Sequence, residues 1–173
     1  MFKKMIAAVL STAMLLSCAM LSGAASGPDV SVDANGDVIY EYEDFIIVVS
    51  DTPVKQTRAS DPYLDIQNGV AYAPSGKKIN FDLGDSSTSN EGYTQAIFEV
   101  INTDDSDSLD CTFSGFLSGS RVQSIKVEDM QPGQSKTVTY KSTNGKALYG
   151  TITTAIVPTD SNSVSYEYSV AAR

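Results

Sequence analysis

From residue 27 onward the chain never settles into a helical rhythm. Short runs rich in Val, Ile, Thr, Tyr and Phe are broken every few residues by Gly, Asn, Asp, Ser or Pro. Branched and aromatic side chains fit a pleated, half-covered surface, and the interrupting residues supply chain reversals. No window repeats apolar residues at spacings of three and four between helix caps. The pattern therefore predicts an all-β fold. A strand that alternates apolar and polar residues hides only one face, so a second layer must cover it, and the expected architecture is an antiparallel β-sandwich.

The strands can be placed one by one. Residues 30–32 and 38–42 flank Asn35-Gly36, a dipeptide that tolerates positive φ at both centres of a tight hairpin turn. Residues 45–49 form a continuous apolar run, expected to be buried on both faces. Residues 50–60, with Pro53, Lys55, Gln56 and Arg58, turn polar and read as a connection. This divides the chain into a leader (1–26), an N-terminal hairpin and linker (27–60) and a main sandwich (61–173), and leaves open whether the middle segment joins the main sheet. Nine strands are expected in the last part: 63–66, 70–73 after an Asn68-Gly69 turn, 79–83, 93–101, 111–116, 122–127, 136–140, 149–157 and 164–170. The last two read as a hairpin. Val164, Tyr166, Tyr168 and Val170 alternate with Ser165, Glu167 and Ser169, which predicts one wet face.

The leader reads Met1, Phe2, Lys3, Lys4, then an apolar stretch from Met5 to Leu21, then the small residues Ser22 to Ser26. This order of charge, apolar run and small residues is that of a secretory signal peptide, with cleavage expected near Ser26. No charged stop-transfer cluster follows, so the processed chain is expected to keep no transmembrane span. A second reading of the same segment is that Leu15-Leu16-Ser17-Cys18 resembles a bacterial lipobox, which would lipidate Cys18. Both readings place the protein outside the cytoplasm, secreted or associated with the cell envelope. Removing 26 of 173 residues leaves 147, enough for one domain. The leader carries Lys3 and Lys4 and no acid, so processing takes the formal charge from −9 to −11. A field of that sign repels nucleic acid, and none is expected as a partner.

One resemblance carries further. Phe98-Glu99-Val100-Ile101-Asn102, a polar loop, residues 109–116, then Met130-Gln131-Pro132-Gly133-Gln134-Ser135 before Thr137-Val138-Thr139-Tyr140 resembles the middle of secreted bacterial immunoglobulin-like domains. There a strand ends in Asn, a hairpin follows, and a Pro-Gly-x-Ser turn opens an alternating strand. The resemblance spans residues 93–157 and implies an immunoglobulin-like sandwich. It implies no activity.

The chain contains no His. That removes the usual base of Ser-His and Cys-His nucleophiles and the commonest zinc ligand. Cys111 is the one cysteine left after processing, and its alternation with Leu109 and Phe113 marks it as a small core residue. Ser75 and Lys78 share the spacing of Ser-Lys hydrolases, but they fall in a turn between strands and not at a helix start. No enzymatic activity is expected; a hydrolase working through paired carboxylates is the remaining catalytic alternative.

Two clusters stand out as binding candidates. Asp104, Asp105, Asp107 and Asp110 crowd one loop with hard oxygens, which suits calcium, the one cofactor expected if there is any. Asp33, Asn35 and Asp37 mimic half a calcium loop, yet Val38 stands where its glycine belongs, so the hairpin turn is the better reading. Tyr40 with Tyr42, and Tyr166 with Tyr168, are i, i+2 pairs that line one strand face each and could form an aromatic contact platform. The functional expectation is an exported interaction module whose partner is a protein or glycan at the cell surface. The alternative is a glycan-binding module using a tyrosine face.

Overall fold

The structure is a computed structural model and describes residues 27–53, 63–85 and 92–173. The leader with Cys18 and most of the 50–60 connection lie outside the described residues. Eleven strands are present: β1 (Asp29–Val32), β2 (Val38–Glu41), β3 (Phe45–Ser50), β4 (Tyr63–Tyr72), β5 (Lys77–Asp82), β6 (Gln95–Asn102), β7 (Leu109–Leu117), β8 (Ser120–Met130), β9 (Ser135–Ser142), β10 (Gly150–Pro158) and β11 (Ser163–Ala172). No helix occurs among the described residues, so none is long and apolar enough to cross a membrane.

The strands form two antiparallel sheets packed face to face. The larger has seven strands in the order β1-β2-β3-β9-β6-β11-β4, and the smaller has four in the order β5-β10-β7-β8. Between them lies one core. Phe98 from β6 meets Phe81, Tyr140 and Tyr168 with ring centroids at 5.7, 5.4 and 6.4 Å. Phe113, Leu117, Ile152 and Ile156 fill it from the smaller sheet, all fully buried. Each such side chain contributes about 1.5–3 kcal/mol by leaving water. Cys111 belongs to this core: it is fully buried, its sulfur lies 3.6 Å from that of Met130, and burial pushes its thiol up to about 12. A thiol held protonated is a poor nucleophile.

One open question has an answer, and three expectations need correction. The N-terminal hairpin joins the main sheet, because β3 lies inside the large sheet with Phe45 opposite Ser142 and Ser50 opposite Thr137. β3 is not buried on both faces: Phe45, Ile47 and Val49 face the core, while Ile46 and Val48 are half-buried on the outside. Asn68-Gly69 is not a turn, since β4 runs through it opposite β11 without a break, from Tyr63 and Ala172 to Tyr72 and Ser163. Gly69 sits opposite Tyr166, and a Cβ there would lie 2.5 Å from the tyrosine hydroxyl. The glycine makes room for a ring and reverses nothing. Finally, β10 and β11 are not a hairpin: residues 159–162 carry the chain from the small sheet to the large one. Alternation marks which side of a strand is apolar, and that side is hidden equally well by facing a strand across the layers.

The first hairpin exists with a different turn. Gly36 N–H donates to the Asp33 carbonyl at 3.1 Å, and only Gly36 in this turn has positive φ (89°). The Pro132-Gly133 turn is of the kind its sequence requires: Gln134 N–H donates to the Gln131 carbonyl at 3.0 Å with Gly133 at φ 77°. The buried Asn102 pins this corner, its amide donating to the carbonyls of Asp107 (2.8 Å) and Met130 (2.7 Å).

Candidate functional site

The larger sheet outruns the smaller, and its surplus is β1 and β2. On the face that buries the core elsewhere, Val30 stands opposite Tyr40 and Val32 opposite Val38, while Tyr40 and Val38 stand opposite Ile47 and Val49 of β3. Exposure rises outward along this row. Ile47 and Val49 are buried, Val38 and Tyr40 half-buried, and Val30 and Val32 are 57% and 65% exposed. The small sheet ends above Tyr42, whose hydroxyl accepts the Gln123 N–H of β8 at 2.8 Å and whose ring stacks on Phe45 at 4.5 Å. Burial raises the pKa of Tyr40 and of Tyr42, so both remain protonated and neutral at physiological pH. The result is an apolar shelf bounded on one side by the edge of the other sheet.

The two tyrosine pairs separate here. Tyr40 and Tyr42 flank the shelf. Tyr166 and Tyr168 are 4% and 1% exposed in the core and present no platform.

The acidic loop between β6 and β7 is organised around its own backbone. The Asp104 carboxylate accepts the N–H groups of Ser165 (3.0 Å), Ser106 (3.2 Å) and Asp107 (3.2 Å), which together hold it down at about 2. Asp110 accepts Asp129 N–H at 2.9 Å and the Thr159 hydroxyl at 3.1 Å. Among the described residues no three Asp, Glu or Cys side chains gather as a metal set, so Asp104, Asp105, Asp107 and Asp110 are not brought together as a calcium cage. Asp33 acts likewise at the first hairpin, accepting Asn35 N–H at 2.8 Å and Asp37 N–H at 3.0 Å. Ser75 is in the exposed turn before β5 and Lys78 is exposed on β5, away from any helix.

Asp29, Glu41 and Glu43 line an open cleft of about 440 Å³ beside Tyr42. All three are exposed to water, without the burial that splits a carboxylate pair into an acid and a base. At the sandwich end, a second cleft of about 380 Å³ has Asp44, Asn144, Lys146 and Tyr149 in its wall, with Asn144 already donating to Asp44 at 2.7 Å.

Sequence reasoning missed two features. The shelf depends on one sheet being wider than the other, which no local pattern encodes. Glu99 is 7% exposed on the outer side of β6, and burial, then the nearby charge of Glu167, raises its pKa; its place inside Phe98-Glu99-Val100-Ile101 was the available signal. No protein-family model matches the chain, and no curated protein matches its sequence.

Proposed function

We propose that this chain is exported and acts as a non-catalytic contact module, meeting a protein partner with the β1–β2 shelf. One observation carries the reading: Val30 and Val32, on the core-facing side of the sheet, are 57% and 65% exposed with half-buried Val38 and Tyr40 behind them. Contiguous apolar surface beside a polar rim is where soluble proteins meet partners. The chain's net charge of −9 favours a partner with basic residues around an apolar centre. A sugar platform would need open aromatic faces, whereas Tyr42 is covered by Phe45 and its hydroxyl is engaged.

The test places a photo-crosslinking side chain at position 32 or at position 31, whose side chain lies on the opposite face, in the protein exported by producing cells. A discrete adduct from position 32 alone is expected, with at least about a tenfold loss of adduct when Val30→Ser and Val38→Ser are added around it. Equal labelling from both positions counts against the shelf, and glycan binding that survives the double variant favours the sugar reading. Intact mass of the same material is expected to place the N-terminus near Gly27; a diacylated Cys18 would tether the module to a membrane instead.

A further inference from the structure

Among the described residues four strand edges are open in the two sheets, and three of them are blunted. β1 is only four residues long. β5 carries adjacent lysines, Lys77 and Lys78. β8 breaks register against β7 twice, has Asp129 at φ 56°, and gives the N–H groups of Gln123 and Asp129 to Tyr42 and Asp110. Short length, lysines, bulges and side-chain caps are the usual protections against strand pairing between molecules. Among the described residues β4 has none of these, and its one protection is a charge on the core-facing side, Asp65 opposite Val170. It is ten residues long, holds register with β11 throughout, and carries one charge, Asp65, whose carboxylate accepts the Gln67 amide at 2.6 Å.

The bonding parity of β4 shows what its edge offers. Ala73 N–H donates to Asn162 O at 2.9 Å, while on the other side of β11 Ser165 O accepts Thr103 N–H at 3.1 Å. Odd-numbered residues of β4 therefore bond to β11, and even-numbered ones turn their backbone groups to the open side. Leu64, Ile66, Asn68 and Val70 offer both N–H and C=O there, and Tyr72 its N–H, its carbonyl being held by Gly76 N–H at 2.7 Å. Ile66 and Val70 are each 43% exposed, and Tyr72 63%.

We infer that β4 is a self-association edge: a second copy of this chain pairs antiparallel with it about a two-fold axis at Asn68, joining two seven-stranded sheets into one. The sequence of the strand is complementary to itself in that register. Asn68 stands opposite Asn68 of the second copy, Ile66 opposite Val70 and Leu64 opposite Tyr72, so the exposed apolar side chains meet each other. Asp65 falls opposite Ala71, so no like charges face each other across the seam. The edge from Leu64 to Tyr72 spans roughly 30 Å at ~3.4 Å per residue. β1 lies at the far end of the same sheet, so pairing leaves both shelves open; the inference stands independently of what the shelf binds.

Sedimentation velocity of the exported protein over a concentration series tests it. A mass of twice the processed chain is expected, weakening at least about tenfold in Asn68→Pro. That proline removes an N–H which β11 does not use, so circular dichroism should keep its strand signal. Asn68→Lys and Asn68→Glu should each be monomeric, and their mixture should regain the dimer. A monomer up to about 1 mM, or a dimer unchanged in all three variants, overturns the proposal.

Discussion

Two pairs of tyrosines with identical spacing stand toward opposite ends of the large sheet. Tyr166 and Tyr168 on β11 are sealed beneath the small sheet, with Tyr168 beside Phe98. Tyr40 and Tyr42 on and just after β2 lie where that sheet stops, half-buried, one beside Val30 and the other capping the β8 edge. Nothing within either strand differs enough to explain this. A strand's own alternation decides which side is apolar, and the extent of the opposite layer decides whether that side becomes core or surface. The same side chains stabilise the fold at one end and are offered to a partner at the other.

The sharpest way to break this contrast is to truncate one tyrosine from each end. Tyr168→Ala empties a fully enclosed position and is expected to cost about 3–5 kcal/mol in urea unfolding. Tyr40→Ala loses only part of a half-covered ring and should cost no more than about half as much. Equal losses would mean that the shelf is covered in the folded protein, which would remove the proposed contact surface with it.

A second measurement sharpens the covered end. Gly69→Ala puts a methyl group 2.5 Å from the Tyr166 hydroxyl and 2.7 Å from the ring carbon bearing it. Both chains are fixed by the ladder, so the ring must move, at an expected cost of about 1–3 kcal/mol. In a Tyr166→Ala background the clash is gone, and adding Gly69→Ala should cost less than about 0.5 kcal/mol. If the two losses simply add, Gly69 is not there to seat Tyr166.

These two sites also mark where the sequence is legible. Leu109, Cys111 and Phe113 alternate with polar residues, and that period alone places them in the core because it is a property of one strand. Pro132-Gly133 specifies its turn through φ preferences carried by the two residues themselves. Asn68-Gly69 carries the same local signal as a turn and is overruled by a partner strand about a hundred positions away, which needs a gap for Tyr166. The 149–157 and 164–170 segments are strands, as their alternation predicts, but they lie in different sheets, since two apolar faces can meet side by side or across a layer. The shelf was illegible for the same reason: it is the difference in width between two sheets, a property of neither alone.

Acid titration probes the contrast most gently, through the turn aspartates at the two ends. Asp33 bonds only within its own hairpin, first to Asp37 N–H, and its pKa is lowered. Asp104 holds its own loop and also the Ser165 N–H at the start of β11, and sits at about 2 against an ordinary 3.8. A carboxylate with a lowered folded pKa contributes its full stability above the unfolded value, and loses it as pH falls through the folded one. For Asp104 that window runs from 3.8 down to about 2. Asp104→Asn should therefore lower stability at neutral pH and flatten the acid limb across this window. Asp33→Asn should have the same sign and a smaller effect, because the hairpin it holds adds little to the enclosed core. Both comparisons use urea unfolding at pH 7, 4 and 2.5. If Asp33→Asn proves the more damaging variant, the hairpin is a structural support for the sandwich, and its exposed valines would no longer stand apart from the core as a contact surface.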